Sequence, residues 1–231
     1  MKNGYNMTKE KALEIFAANF MGTSDLQIIE SIKPITKIIM LENKNILFNE
    51  NEKADFFYYV VSGNIKLSKI SHDGKEIIIR IVQNNEIFAE AVLYGRNTYP
   101  VNSAAINKTC LLSINAAGFK ELCFTNKEFI LKLFVTMSHQ LRYFVDMIND
   151  LTSADTTSRL LKYLYNIKEK TGSSIITLPI SKRDLAMLLG AAPETVSRIF
   201  AKLQNDGFIS FNGKEITIIK DINDYTNQRL P

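Results

Sequence analysis

Five consecutive residues near the carboxyl end of the chain carry polar groups of the kinds that recognise nucleic-acid bases: Glu194-Thr195-Val196-Ser197-Arg198. On a helix, Glu194 lies three and four positions before Ser197 and Arg198, so these three side chains share one face. A guanidinium can donate two hydrogen bonds to guanine O6 and N7, a carboxylate accepts from cytosine N4, and a short hydroxyl reaches a thymine edge or a phosphate. The pentad therefore predicts a helix face that reads DNA bases.

A short helix, a tight turn and a second helix are predicted to hold this face. Ser181 and Asp184 have the spacing of a capping box, which starts a helix over 182–189. In the following Gly190-Ala191-Ala192, glycine tolerates a positive φ and the small side chains let the helices cross closely. Pro193 suits the first position of the next helix, because the N–H that proline lacks has no intrahelical partner there.

The second helix is predicted to run over 193–204 and to bury one apolar stripe, made of Val196, Ile199, Phe200 and Leu203. The sequence FISFNGKEITII after it has two strand-like runs around Asn-Gly, the pattern of a hairpin. Helix, turn, helix and hairpin is the order of a winged helix-turn-helix, whose second helix enters a major groove. The alternative is an ordinary solvated amphipathic helix, and the agreement of turn, helix bounds and hairpin favours DNA binding.

Further polar residues near this face are predicted to hold DNA phosphates, which fixes the position of a protein on DNA without reading sequence. They are Ser181, Lys182, Arg183, Thr195 and Lys202.

A long amphipathic helix is predicted before this region, over 127–151. Its apolar residues alternate four and three positions apart, which is the heptad pattern of a coiled-coil seam. A helix buried against its own domain is the alternative, but the polar residues between the seam positions favour a homodimer. The seam consists of Ile130, Phe134, Met137, Leu141, Phe144, Ile148 and Leu151.

The amino-terminal half predicts a β-sandwich or β-roll. Eight short β-rich runs between about residues 35 and 115 are separated by turn residues such as Ser62-Gly63-Asn64 and His72-Asp73-Gly74. The fold class is therefore α+β. We expect a β domain over 1–126 with short flanking helices, a dimerisation helix and hinge over 127–154, and a winged helix-turn-helix domain over 155–231.

Composition excludes several classes of protein. The net charge of +4 permits a nucleic-acid partner, and the longest apolar runs fall short of a membrane span, so we expect a cytoplasmic protein. Two cysteines without a CxxC pair give no metal or disulfide framework. His72 in a turn and His139 on a helix flank make no catalytic constellation, so we expect no enzyme activity.

The order of these parts resembles the CRP/FNR family of bacterial transcription regulators over nearly the whole chain. The pentad matches the family's E-[ST]-[VI]-[SG]-R string, and its Val-Ser-Arg ending after Pro193 is similar to the FNR-like branch. The resemblance implies a palindrome with TTGA-type half-sites about one helical turn apart, read by Glu194, Ser197 and Arg198. It also implies that residues 1–126 form an effector-sensing β-roll, a double-stranded jelly roll of the cyclic-nucleotide-binding type, through which an effector controls DNA binding allosterically. It implies contact with RNA polymerase if the protein activates transcription.

Two sensing chemistries of the family are disfavoured by the residues present. The oxygen-labile iron–sulfur centre of the FNR branch needs amino-terminal cysteines, and residues 1–109 contain none. The cyclic AMP cassette uses a Gly-Glu pair and an Arg-Ser pair; Glu90 matches the carboxylate, but Ala89 replaces the glycine. Val101-Asn102 stands where the arginine would bind the phosphate, and a buried phosphate without a cation is costly.

Haem-dependent gas sensing and a small organic effector remain as alternatives. The run Tyr99-Pro100-Val101-Asn102 is similar to regulators of the nitrosative-stress and denitrification branches, several of which bind haem, although no axial ligand stands out. The same aromatic and apolar residues equally suit an ordinary packed core. The predicted effector pocket consists of Glu90, Tyr94, Tyr99, Val101, Met137 and Leu141.

Overall fold

The structure is a computed structural model that describes residues 7–93, 95, 97–153, 155–212 and 215–220. Tyr94 of the predicted pocket lies outside the described residues, and so does the side chain of Leu151 from the predicted seam. The chain forms two compact units, Met1–Arg142 and Tyr143–Pro231, which meet within one long helix. Each unit is described separately below.

Two short helices begin the first unit. Helix α1 (Lys9–Phe16) is capped by the Thr8 hydroxyl, which accepts from the Lys11 amide, and it continues into a π-helical turn over Ala17–Met21. Helix α2 (Leu26–Ile32) is capped by Asp25, whose carboxylate accepts from the Gln27 amide at 2.8 Å. A carboxylate near a helix amino terminus also interacts favourably with the helix dipole, which makes Asp25 a suitable cap.

Eight strands follow, and they confirm the eight predicted runs. They are β1 (Thr36–Leu41), β2 (Ile46–Phe48), β3 (Phe56–Ser62), β4 (Ile65–Ile70), β5 (Glu76–Val82), β6 (Ile87–Phe88), β7 (Asn102–Ala105) and β8 (Thr109–Asn115). One sheet has the order β1-β8-β3-β6 and the other β2-β7-β4-β5, with every neighbouring pair antiparallel. Two antiparallel sheets around one core make the jelly-roll-like fold that the sequence predicted.

The turn between β3 and β4 depends on glycine. Gly63 has φ of +93°, and a Cβ built there would lie 2.7 Å from the Cα of Thr109. Any other amino acid at position 63 would strain the backbone at this φ, and its Cβ would clash with Thr109. The Ser62-Gly63-Asn64 turn therefore joins the two sheets at a position that a side chain would disrupt.

An aromatic cluster fills the space between the sheets. Phe48 stacks on Tyr99 with ring centroids 3.7 Å apart, and Tyr58 stacks on Phe88 at 5.3 Å. The hydroxyls of Tyr58 and Tyr99 lie 3.1 Å apart, and Tyr99 donates to the carbonyl of Phe56 at 2.9 Å. The polar ends of these buried rings are therefore satisfied inside the core.

Two helices complete the first unit. Helix α3 (Ala116–Thr125), which the sequence did not predict, is capped by Asn115 and buries Phe119. Helix α4 (Lys127–Ser153) confirms the predicted long helix and extends it by two residues. Phe129 and Leu133, which are 1% and 3% exposed, attach the start of α4 to the core of the β-roll.

The second unit contains three further helices and a small sheet. Helix α5 (Thr156–Thr171) is capped by Asp155 and ends at Gly172, and strand β9 (Ile175–Thr177) follows. Next come α6 (Lys182–Leu188), α7 (Pro193–Asn205), β10 (Ile209–Asn212) and β11 (Glu215–Ile218), and the sheet has the order β10-β11-β9. The hairpin confirms the predicted wing, whereas β9 adds a strand that the sequence did not predict.

Candidate DNA-binding surface and effector site

Helix α7 separates its apolar and polar residues onto two faces. Val196, Phe200 and Leu203 are fully buried and Ile199 is half-buried, as the predicted stripe requires. Burial of that stripe fixes the rotation of the helix, because a rotation would expose apolar surface to water. The side chains of Glu194, Ser197, Arg198 and Lys202 are exposed on the other face, and Thr195 is half-buried.

The turn before α7 is closed by backbone hydrogen bonds. Gly190 has φ of +62°, its amide donates to the carbonyl of Met187, and the Ala191 amide donates to that of Ala186. This is a left-handed helix end, which glycine adopts without steric cost. The tight turn brings α6 and α7 together as a helix-turn-helix requires.

Ser181 caps α6 and confirms the predicted start of that helix. Its hydroxyl accepts from the Asp184 amide at 3.0 Å and lies 2.7 Å from the Asp184 carboxylate. The hydroxyl therefore already has both a donor and an acceptor in the protein, and its predicted phosphate contact would compete with the cap.

The ammonium of Lys182 lies beside the aromatic rings of α7 and the wing. Its Nζ is 4.8 Å from the ring centre of Phe200 and 4.4 Å from that of Phe211, distances at which a cation is attracted to a ring face. Lys182 and its neighbour Arg183 are both exposed, but among the described residues only Lys182 has such ring contacts. The structure thus gives the two predicted phosphate contacts different surroundings.

The predicted base-reading residues remain available to a partner. Among the described residues, the Arg198 guanidinium forms no ion pair, and its nearest polar contact is the Thr195 hydroxyl at 3.5 Å. That distance is too long for a strong hydrogen bond, so the guanidinium can turn toward a ligand at little cost. Glu194 at the first turn of α7 lies on the same exposed side.

Helix α4 carries an exposed apolar face. Phe134 and Leu141 are 70% and 67% exposed, and Ile130, Met137 and Ile148 are also exposed, while Phe144 is half-buried. A second stripe of exposed residues, Leu131, Val135 and Val145, widens this face beyond the predicted seam. Contiguous apolar surface of this kind marks a site of association with another protein surface.

The carboxylate of Glu90 lies between the β-roll and α4. Burial raises its pKa, which its own backbone amide, the Arg80 charge and a hydrogen bond from the Gln140 side chain counteract only in part. Gln140 on α4 also contacts the carbonyl of Ile87 at 3.5 Å. Glu90 therefore links the segment after β6 to α4, with its polar contacts supplied by the protein.

The residues around Glu90 differ from the glycine and arginine pattern of a phosphate-binding cassette. Ala89 adopts φ of +62°, the left-handed conformation that glycine takes most readily. Arg80 is the nearby cation, and it already pairs with Glu86 at 2.9 Å. The Asn102 side chain accepts from the Glu50 amide at 2.9 Å, which holds its carbonyl oxygen within the β-roll.

Of the other predicted pocket residues that the structure describes, Tyr99 and Val101 lie in the core of the β-roll, and Met137 and Leu141 lie on α4. Tyr99 is 3% exposed and belongs to the aromatic cluster, and the half-buried Val101 packs against the same core. Met137 and Leu141 lie on the exposed face of α4. Tyr99 and Val101 therefore pack in the core, which is the alternative that the sequence left open for them.

Sequence reasoning missed the two polar neighbours of Glu90. Arg80 is a charged residue inside the otherwise apolar run IIIRIV, and an inward charge in a strand indicates a partner. Gln140 stands between seam positions Met137 and Leu141 and appeared to be an ordinary flank residue. A helix that contacts a β-roll on one side can carry polar residues on that side as well as on its solvent side. A heptad pattern alone does not tell which polar residues contact the β-roll.

Metal ligands and membrane-spanning helices are not found in the described part of the chain. It contains no group of three or more His, Cys, Asp or Glu side chains placed to hold a metal ion, and no helix long and apolar enough to cross a membrane. Burial raises the pKa of the Cys110 thiol to about 11 and also raises that of Cys123. Both thiols are therefore protonated near neutral pH and packed as apolar groups.

Comparison with known proteins agrees with the two parts of the fold. Residues 39–126 match the cyclic nucleotide-binding domain and residues 158–223 match the Crp-like helix-turn-helix domain, together about two thirds of the chain. The cAMP-activated global transcriptional regulator CRP of Shigella flexneri is 24% identical over 181 residues, which cover 76% of this chain and 86% of that protein. The CRP-like cAMP-activated global transcriptional regulator of Mycobacterium tuberculosis is 23% identical, covering 74% and 79%.

Solved structures show the same fold. FixK2 from Bradyrhizobium japonicum has a TM-score of 0.75 at 21% identity and covers 85% of this chain and 98% of its own. A mutant of CooA from Carboxydothermus hydrogenoformans has a TM-score of 0.74 at 18% identity, covering 96% and 97%. With an effector-binding β-roll, a long helix and a helix-turn-helix in this order, the chain belongs to the CRP/FNR family of DNA-binding transcription regulators.

Proposed function

We propose that the protein binds a palindromic DNA site with TTGA-type half-sites as a homodimer, and that an effector held by the β-roll controls this binding. The observation that carries the proposal is the exposed Glu194, Ser197 and Arg198 face of α7, opposite the buried Val196, Phe200 stripe. Arg198 reads a guanine through two hydrogen bonds and Glu194 accepts from a cytosine amino group. Ser197 contacts a thymine edge or a phosphate.

The homodimer rests on the exposed face of α4. A second copy of the same helix would cover Phe134, Leu141 and Ile148 by heptad packing, and a twofold axis along the seam would place two α7 helices for two half-sites. A dimer of this kind reads half-sites about one helical turn apart, so a palindrome in the DNA reflects the symmetry of the protein.

Several relatives are named as cAMP-activated regulators, but the residues of this chain disfavour cyclic AMP as its effector. The sequence has no Lys or Arg from Tyr99 to Asn107. Among the described residues, Arg80 is the cation that lowers the pKa of Glu90, and it already pairs with Glu86. A cyclic phosphate beside residues 99–107 would lose water without gaining a cation from them. Glu90 instead bonds to its own amide and to Gln140, which indicates a structural carboxylate.

A small organic effector is favoured over haem. Haem needs an axial side chain that faces its pocket, whereas His72 and His139 are exposed and both cysteines are buried in the core. Haem-dependent sensing of nitric oxide remains the second candidate, supported by the likeness of the Tyr99-Pro100-Val101 run to the nitrosative-stress branches. An apolar, aromatic-lined β-roll suits either ligand.

Two measurements test the proposal. Fluorescence anisotropy at fixed salt should give an affinity for a TTGA-type palindrome about a thousandfold or more above that for a scrambled duplex. Equal affinities would show that α7 does not read this sequence. Mass and absorbance analysis of protein purified under anaerobic conditions identifies the effector class: a Soret band supports haem, and a bound organic molecule supports the first candidate.

A further inference from the structure

A cavity lies in the second unit, outside the β-roll. It is a cleft open on one side, with a volume of about 150 Å³, and it is lined by α4, one side of α5 and the carboxyl end of α6. Its apolar lining comes from Met147, Leu188 and Leu189. A cavity of this size holds a molecule about as large as benzene.

The hydroxyl of Tyr163 is the unusual group in this cavity. It is buried, and it has no hydrogen-bond partner within the described residues. Burying an unbonded hydroxyl costs about 1–3 kcal/mol, so native proteins rarely keep one without a ligand or an ordered water. Burial also raises the pKa of Tyr163, so the hydroxyl keeps its proton and can donate it in a hydrogen bond.

Charged groups at the rim favour an anion. Arg159 and Lys162 on α5 both line the cavity, and among the described lining residues Asp146 of α4 is the carboxylate and Asn166 a neutral polar group. Arg159 is held in place, because its Nε donates to the carbonyl of Leu189 at 3.0 Å and its Nη2 contacts the Thr156 hydroxyl. The described lining thus places two cationic side chains on the same helix as the Tyr163 hydroxyl.

The side of α4 that lines this cavity is not the side that the seam uses. At about 100° per residue, Tyr143 and Asp146 project well away from Leu141, Phe144 and Ile148. A second copy packed along the seam would therefore leave Tyr143 and Asp146 uncovered, whereas Met147 lies about 60° from Phe144 and closer to the seam.

We propose that this cavity binds a small carboxylate with an aromatic or short apolar body, whose carboxylate accepts from the Tyr163 hydroxyl. The apolar body contacts Met147, Leu188 and Leu189, and the Lys162 ammonium stabilises the charge. Such a ligand touches α4, α5 and α6 at once, so its binding opposes any change in the angle between the dimerisation helix and the helix-turn-helix. The inference is independent of the proposed palindrome and of the effector in the β-roll.

Methyl NMR on the full chain tests this site with benzoate, and with benzyl alcohol as a neutral probe of the same shape. We expect benzoate to shift the Met147 methyl resonance saturably. Tyr163→Phe should weaken benzoate binding about fivefold, the loss of one hydrogen bond. Lys162→Gln should weaken benzoate binding and leave that of benzyl alcohol unchanged.

Tyr165→Phe, on the same helix but outside the cavity lining, is the matched control and should bind benzoate like the unaltered protein. Thermal unfolding without ligand separates binding from folding: Tyr163→Phe should not lower the Tm, because the hydroxyl bonds to no described residue. The site is refuted if neither probe shifts Met147 saturably at tens of millimolar, or if Tyr163→Phe binds benzoate with unchanged affinity.

Discussion

Arg198 combines an exposed position with a fixed backbone. Its helix is anchored by Val196 and Phe200 on either side, both fully buried, so the guanidinium starts from a defined point on α7. The side chain itself makes one long contact, to the Thr195 hydroxyl. A fixed backbone position combined with a guanidinium that can reorient allows the side chain to align with the edge of one base.

Replacing Arg198 with Ala should therefore change specificity more than stability. We expect the loss of discrimination at one G·C pair of each half-site, about 1–3 kcal/mol, because two hydrogen bonds to guanine disappear. Competition binding with duplexes substituted at each position measures this effect. An Arg198→Ala protein that still rejects every substitution would exclude Arg198 as the guanine contact.

Lys202→Ala removes a predicted phosphate contact and is the matched control. This variant should lower the affinity for all duplexes by the same factor.

The burial of Glu90 predicts how the stability of the fold depends on pH. Its pKa is raised in the folded protein, so the folded state holds the proton more tightly than the unfolded state, whose ordinary value is 4.5. The favourable effect of the protonated carboxyl is complete below that value and is lost as pH rises through the folded pKa. Near pH 7 the buried charge therefore lowers stability.

Glu90→Gln should accordingly raise the Tm at pH 7, with a difference that shrinks as the pH falls toward 4.5. Thermal unfolding followed by circular dichroism between pH 4 and 8 measures this difference. Glu42→Gln at an exposed position is the control for loss of a surface charge. A lower Tm for Glu90→Gln across the whole range would mean that the ionised carboxylate stabilises the fold.

At the residue scale, the sequence indicates the exposed and buried faces of α7 but not the surroundings of single polar groups. Val196, Phe200 and Leu203 repeat with helical spacing, so their burial follows from periodicity alone. The contact between Gln140 and Glu90 joins positions 50 residues apart, and local pattern carries no information about such a pair. The same holds for Lys182 beside Phe211, which only the position of the wing brings together.

Helix α4 is the element with two unequal faces. Phe129 and Leu133 bury one side of its first turns, whereas Phe134 and Leu141 remain exposed. The heptad pattern predicted the exposed seam, because apolar residues repeat every three or four positions. It did not predict the added Leu131 and Val135 stripe, since a heptad description counts only two positions in seven.

Phe134→Glu should separate the dimer without unfolding the monomer. The ring is 70% exposed in a single chain, so its loss removes little packing there, while a dimer would have to bury two charges on the seam. Sedimentation velocity should show a monomer, with helix content unchanged by circular dichroism. His139→Glu on the exposed flank of the same helix is the control and should remain dimeric. A dimeric Phe134→Glu protein would place the interface elsewhere.

Other elements show where local pattern fails. Strand β9 has three residues and is stabilised by pairing with β11, so its strand state depends on a partner about 40 positions later. Helix α3 has a clear cap at Asn115, but it follows a strand that runs directly into it. Short elements without a separating turn are the ones that propensity identifies least well.

In the whole molecule, the order of the parts was predictable. Eight strands, one long helix and a winged helix-turn-helix follow from changes in period along the sequence. The structure divides into two compact units between Arg142 and Tyr143, inside α4, while the domain boundaries after residues 126 and 154 stay predictions. A helix can belong to two units when its two ends pack against different cores, and no sequence break marks such a point.

The spacing of the two half-sites tests the proposed dimer as a unit. Inserting about five base pairs between them moves one half-site to the opposite face of the duplex, where a second α7 cannot reach it. We expect the affinity to fall to that of DNA with a single half-site, measured by anisotropy at constant salt. An unchanged affinity after the insertion would mean that each chain binds DNA independently. Inverting one half-site provides a second control of symmetry.

The exposed apolar face of α4 has a consequence for how the occupancy of a DNA site depends on protein concentration. With that face covered by a second copy, the number of paired chains follows the square of the total concentration wherever most chains are single, by mass action. A doubling of synthesis then raises the paired form about fourfold, and the occupancy of a target site rises more steeply than for a single-chain regulator. For the proposed dimer, the cell's rate of making this protein thus becomes a second input beside the proposed effector.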